Sequence, residues 1–123
     1  MLPARHRLRD RRAFQVLYQE GQRRSTSGLT ILFLPLEEKG IPSQVGLVVS
    51  KRVSKSAVRR NRLRRQLREI LRSLCPNLKP GYRLLLIAKA SLLGCSWAQL
   101  QAEVQRLLQR ASLLVEMQPQ DEN

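Results

Sequence analysis

The 123-residue chain predicts an α+β sandwich, in which helices bury their apolar stripes against one sheet. Three observations predict it. Residues 29–34 and 82–88 are short runs rich in apolar β-formers. Residues 56–74 and 96–111 repeat their apolar side chains at helical spacing. The elements run α, two or three strands, α, β, α, an order that leaves each helical stripe facing a sheet.

Helix one is expected over 10–20, where Phe14, Leu17 and Tyr18 recur at i, i+3 and i+4 and Gly21 supplies the stop. GLTILFLP then gives a strand over 29–34, ended by Pro35, and LEEKGIPS reads as a loop. A second strand over 45–49 is short and apolar enough to be central, and the two are expected to pair antiparallel across that loop. A short edge strand within 22–27 would make a third. Helix two opens near Ser56 or Ala57 and runs to about Leu74. At ~100° per residue, Leu63, Leu67, Ile70, Leu71 and Leu74 share one stripe, with Asn61, Arg62, Arg65, Arg68 and Arg72 opposite. Pro76 closes it. After a loop over 77–81, YRLLLIA forms the next strand. The last helix opens at Ser96, a capping residue, and carries Trp97, Leu100, Val104, Leu107, Leu108 and Ala111 at helical spacing. Trp97 is expected in the core. The expected organisation is one domain over 1–117 and a polar, disordered tail over 118–123. The path from strand 45–49 through helix two to strand 82–88 is a βαβ unit, right-handed by the general rule.

Charge sets the surface chemistry. The chain holds 23 Lys and Arg against 9 Asp and Glu, a net charge of +14. Residues 5–24 carry seven arginines against Asp10 and Glu20, while KRVSKSAVRRNRLRRQLR over 51–68 carries nine basic residues and no carboxylate. For the two stretches to act together they would have to fold onto one face. Like charges one helical turn apart repel, so the second run suits a polyanion lying alongside, where each Lys or Arg set on a phosphate releases condensed counterions. A basic run is also what an ordinary solvated face looks like. Three details favour nucleic acid. Arginines outnumber lysines, and their planar forks suit bidentate phosphate contacts. The basic face of helix two lies opposite an apolar one, so the helix can dock and still present its donors. Asn61, between Arg60 and Arg62, can both donate and accept against a base edge or a 2′-hydroxyl. Phe14 and Tyr18 fit either the core or a platform on which single-stranded bases stack, worth ~1–3 kcal/mol per base. With no helix-turn-helix, zinc or zipper pattern, RNA is favoured over DNA.

Catalysis by the protein itself is not expected. His6 is the only histidine, and no Ser/His/Asp set can be assembled. Glu37 and Glu38 lie in a loop, no Cys/His/carboxylate cluster has metal spacing, and no GxxxxGK(S/T) phosphate loop occurs. Cys75 and Cys95 form no CxxC and read as reduced thiols of a cytoplasmic protein. The start MLPARHRLRDRR has no apolar run, so neither a secretory signal nor a membrane anchor is expected, and no segment approaches ~18 consecutive apolar residues. Two other readings stay open on residues alone: a general RNA-binding module such as a ribosomal or assembly protein, and a basic amphipathic protein acting on anionic membranes.

HRLRDRRAFQVLYQEG, VGLVVSKRVSKSAVRRNRLRRQLREIL, PGYRLLLIA and the amphipathic last helix together resemble the protein subunit of bacterial ribonuclease P, over nearly the whole chain. Arg60-Asn61-Arg62, opening a basic helix after a basic loop, is the most specific part, and Phe14-x-x-x-Tyr18 followed by Gly21 matches in the correct order. The resemblance implies an αβββαβα two-layer sandwich, ribosomal-protein-S5-domain-2-like, with a left-handed βαβ crossover in place of the right-handed one. It implies a ribonucleoprotein endoribonuclease whose RNA hydrolyses precursor tRNA to remove the 5′ leader, with Mg2+ acting mainly through that RNA. The protein subunit, itself without catalytic residues, binds the leader and stabilises the RNA. The implied partners are the catalytic RNA and precursor tRNA, with no membrane and no protein partner. Carried over by position, Lys51, Arg52, Arg60, Asn61, Arg62, Arg64, Arg65 and Arg68 face the catalytic RNA. Phe14, Tyr18 and Leu32 line the leader cleft between helix one and the open sheet face. The chain departs from the family pattern twice: Leu32 stands where relatives often have an aromatic, and VSKSAVRR is one residue longer around Ser54, Lys55 and Ser56.

Overall fold

A computed structural model describes residues 11–37 and 40–115. His6 and the tail expected over 118–123 lie outside the described residues. Helix α1 (Arg11–Glu20) leads into β1 (Gln22–Ser25), β2 (Leu29–Pro35) and β3 (Gln44–Val48). Helix α2 (Ala57–Leu74), β4 (Tyr82–Ala88) and α3 (Trp97–Arg110) follow. The strands form one mixed sheet in the order β1-β2-β4-β3. β2 runs antiparallel to both β1 and β4, and β3 runs parallel to β4.

One expectation fails here. The strands over 29–34 and 45–49 do not pair with each other, because β4 lies between them, and β3 is an edge strand instead of a central one. β4 sets Leu84 and Leu86 toward one face and Leu85 and Ile87 toward the other, and a strand apolar on both sides belongs inside a sheet. β3 returns to β4 through α2, and such a crossover joins parallel strands.

The two faces are unequally covered. On one, Leu29, Ile31 and Phe33 of β2 and Leu84 and Leu86 of β4 meet Leu63, Leu67, Ile70, Leu71 and Leu74 of α2 and Leu100, Val104, Leu107 and Leu108 of α3. The stripe read from helix two is the stripe that is buried. On the opposite face, α1 rests on Leu32 and Leu85 through buried Ala13 and Leu17, with half-buried Phe14 beside them. At ~1.5–3 kcal/mol per fully buried large side chain, this is a modest seat, and it leaves neighbouring sheet surface uncovered. Gly21 ends α1 with its N–H on the Leu17 carbonyl at 2.9 Å, and a Cβ there would lie 2.6 Å from that oxygen.

Trp97 is not in the core. It is 46% exposed, as the whole first turn of α3 lies beyond the core, whose first buried residue on that helix is Leu100. Ser96 and Gln99 cap the helix reciprocally, so this overhanging turn keeps its backbone groups satisfied. Glu103, which sequence reasoning passed over, is buried on α3. Its Oε2 accepts from the Thr26 hydroxyl and from the Gly28 N–H at 2.8 Å, and Oε1 accepts from Arg106 at 3.0 Å. Desolvation alone would raise its pKa, but the hydrogen bonds from Thr26 and Gly28, with the Arg106 charge, outweigh it and hold the carboxyl below its usual range. The carboxylate thus fastens α3 to the turn between β1 and β2.

Candidate nucleic-acid interface

The basic run begins in the turn after β3. Val53 inserts into the main core, and its N–H reaches the Ser50 carbonyl at 3.0 Å, so the turn is anchored from within. Lys51 and Arg52 are left exposed at its tip. The Ser56 hydroxyl then caps α2 by accepting from the Arg59 N–H at 3.3 Å. No acidic residue occupies the first turn, so the positive end of the helix dipole adds to the side-chain charge instead of being offset.

The arginines of α2 divide into two kinds. The Arg60 guanidinium donates to the carbonyls of Ser54 at 2.9 Å and Lys55 at 3.1 Å, closing the loop back on the helix. Arg64 donates to the Val49 carbonyl at 3.1 Å and to the Asn61 side-chain oxygen, tying the helix to the end of β3. These two brace the loop. Ser54 and Lys55 serve through their carbonyls as the acceptors of that brace. Asn61, expected to donate and accept, has its oxygen engaged and its amide hydrogens available. By contrast, Arg59, Arg62, Arg65 and Arg68 are exposed and have no acidic partner among the described residues. Spaced by three, their stems step ~4.5 Å along the axis. Arg72 continues the face but pairs with Glu69 at 3.0 Å, and the guanidinium holds that carboxyl below its usual range. The unpaired row therefore ends at Arg68.

The second surface lies across the sheet. Phe14 is half-buried beside the α1 seat, and Leu34, Val48 and Ile87 are half-buried around it. Tyr18 is 56% exposed. Leu32, expected to line this cleft, is 3% exposed beneath Ala13 and Leu17, so it supports the floor without reaching the surface. Leu34, Val48 and Ile87 were missed. The signal that could have found Ile87 is the alternation of β4, which sends it to the same face as Leu85. Along the other flank of α1 runs a groove of about 820 Å3 bordered by Val16, Glu20, Leu34, Glu37, Gln44 and Arg83. Its two carboxylates, against the single guanidinium of Arg83, leave it net acidic.

Among the described residues, the two basic stretches do not merge. α1 and α2 lie on opposite faces, and β1, with exposed Arg23 and Arg24, forms the edge farthest from β3. Among the described residues, no group of three or more His, Cys, Asp or Glu could hold a metal ion, and no helix is long and apolar enough to cross a membrane. Cys75 is buried, Cys95 is half-buried, and no disulfide joins them.

Comparison with known proteins agrees with this geometry. The Ribonuclease P family model matches residues 2–112. A ribonuclease P protein component of Synechococcus sp. (strain JA-2-3B'a(2-13)) is 74% identical over 117 residues, covering 94% of this chain and 88% of the relative. One from Synechococcus sp. (strain JA-3-3Ab) is 70% identical over 124 residues, covering 99% and 98%. The RNase P protein from Thermotoga maritima superposes with a TM-score of 0.75 at 28% identity, covering 86% of this chain and 97% of that one. The RNase P protein of Staphylococcus aureus, at 22% identity and a TM-score of 0.76, shares the fold. A family match over most of the length, close relatives across nearly the full chain and a braced, unpaired basic helix lead to one assignment: the chain belongs to the ribonuclease P protein family.

Proposed function

We propose that this chain, as the protein subunit of a tRNA-processing ribonuclease P, grips the catalytic RNA with one face and receives the precursor-tRNA leader on the other. The observation that carries the proposal is the row Arg62, Arg65 and Arg68, exposed and without acidic partners among the described residues, on a helix whose opposite stripe is fully buried. Such a row binds phosphate without reorganising the fold. Lys51 and Arg52 extend it along the anchored turn, and Arg60 and Arg64 act mainly by holding that turn in place. Asn61 contributes its free amide donors.

On the opposite face, Phe14 and Tyr18 offer aromatic surface to the bases of a single-stranded leader, over a floor supported by Leu32 and bordered by Val48 and Ile87. Placing the two contacts on opposite faces lets one small protein hold substrate and catalyst at once, which is how a subunit lacking reactive groups can raise the rate of a reaction done by its RNA. Mg2+ acts in this reading mainly through the RNA, and no protein step passes through it. Two cysteines not joined by a disulfide support a cytoplasmic site of action.

The test is reconstitution at low Mg2+. Adding the purified chain to the catalytic RNA is expected to enhance cleavage of precursor tRNA. No enhancement, with RNA binding intact, would leave only a general RNA-binding module.

A further inference from the structure

Between α2 and the turn that precedes α3 lies a pocket of about 280 Å3 that neither the basic row nor the aromatic cleft accounts for. Its rim on the α2 side is Arg59, Arg62 and Gln66; its floor is Leu63 with Leu92 and Leu93; Gly94 and Cys95 close the far wall. The wall is rigid. The N–H groups of Leu92, Leu93 and Cys95 bond the carbonyls of Lys89, Ala90 and Leu92 at 3.1, 3.0 and 3.2 Å, and Leu92 is 3% exposed. Gly94 takes φ +81°, a left-handed conformation that costs glycine little, and this turns the chain back toward α3.

We propose that this pocket is a nucleotide subsite, which seats one unpaired nucleotide of the RNA bound along α2. The inference rests on the reading of α2 as the RNA-facing helix. Three features identify the occupant. Two guanidinium groups without acidic partners among the described residues stand at the rim, where the phosphate of a nucleotide would lie. The floor between them is apolar, a surface that a phosphate row alone does not need and a base face does. Gln66 stands at the edge with one acceptor and two donors, the complement a base edge requires. The volume is at the small end of ligand sites, which run ~300–1,000 Å3, so it suits one base and not a stacked run. Arg62 thereby serves both the row and the pocket, and the RNA footprint extends off α2 onto residues 92–95.

Cys95 makes the pocket measurable. It is half-buried at the wall, while Cys75 is buried in the core, so N-ethylmaleimide distinguishes them in the folded protein. With saturating catalytic RNA, Cys95 alkylation is expected to slow at least tenfold, and protein alkylated beforehand is expected to bind that RNA about tenfold more weakly. A second variant, Leu93→Ser, removes part of the floor but no charge. It is expected to weaken binding about tenfold with the salt dependence unchanged, whereas Arg59→Ala lowers the slope of log K against log salt by roughly 0.7–0.9. Unprotected Cys95 in a complex that still loses affinity through Arg65→Ala would overturn the pocket while sparing the reading of α2. Unchanged affinity in folded Leu93→Ser would overturn it as well. If Arg65→Ala too is without effect, the reading of α2 fails first.

Discussion

Arg64 and Arg65 are neighbours in sequence and identical in chemistry, yet the structure gives them different work, and alanine at each position separates the two. Arg65 is exposed and has no acidic partner among the described residues, so its removal should change folding stability by no more than ~0.5 kcal/mol. If it contacts one phosphate, its loss should weaken catalytic-RNA binding roughly tenfold at low salt, from a charge-assisted bond worth ~1.5 kcal/mol. It should also reduce the slope of log K against log salt by ~0.7–0.9. Across about 50 to 200 mM salt, that slope makes the affinity gap shrink about threefold. Arg64 spans from α2 to the Val49 carbonyl at 3.1 Å and also holds the Asn61 side chain. At about 1 kcal/mol net for each bond, with the group half-exposed, Arg64→Ala should cost roughly 1–2 kcal/mol of unfolding free energy. Its salt slope should stay closer to that of the parent. Urea unfolding followed by circular dichroism gives the first quantity, and fluorescence anisotropy with labelled catalytic RNA over a salt series gives the second. Equal stability losses, or an unchanged slope for Arg65→Ala, would refute the division into bracing and binding arginines.

Glu103→Ala strands the Gly28 N–H in a buried site, leaves the Thr26 hydroxyl only its longer bond to the Leu29 carbonyl, and should cost about 1–3 kcal/mol, measured by urea unfolding at pH 7. Because the Glu103 carboxyl titrates below its usual value of 4.5 in the folded protein, its contribution is complete above that pH and is lost as pH falls through the folded value. The parent should therefore lose part of its advantage over Glu103→Ala in acid, and a pH-independent gap would contradict the assignment. Phe14→Ala should weaken binding of leader-bearing precursor tRNA roughly tenfold through lost stacking, with mature tRNA nearly unaffected. Equal losses for the two RNAs would remove Phe14 from the leader cleft.

What the sequence made legible was whatever depends on local periodicity. The stripe Leu63, Leu67, Ile70, Leu71 and Leu74, the opening of helix two near Ser56, the Ser96 cap, the Gly21 stop and the span of β4 all follow from side chains within one element. Strand order did not: the continuous apolar run of YRLLLIA marks a strand that is covered from both sides, but nothing local says which strands flank it. Arg60 and Arg64 could not be told from Arg62 and Arg65, because the carbonyls that engage them belong to a loop whose path is set by Val53 docking in a distant core. Leu32 was placed on the right face but at the wrong depth, since burial there depends on where α1 settles. Trp97 follows the helical period and still escapes the core, because period says which face a residue occupies and not how far the core extends. Beyond its i,i+3 pairing with Arg106, Glu103 carried no signal, since the partners that bury it, Thr26 and Gly28, are some 75 residues away.

β1 is only four residues long, exposed throughout and bonded to a neighbour on one side. The outer edge of such a strand is a template onto which any other extended chain could add. Here Arg23 and Arg24 sit on that edge, so an identical strand arriving from a second molecule would bring guanidinium groups against guanidinium groups. Colloidal behaviour thus depends on ionic strength: at low salt the molecules hold one another apart, and at 0.1 M, where the Debye length is about 10 Å, that mutual repulsion is confined to near contact.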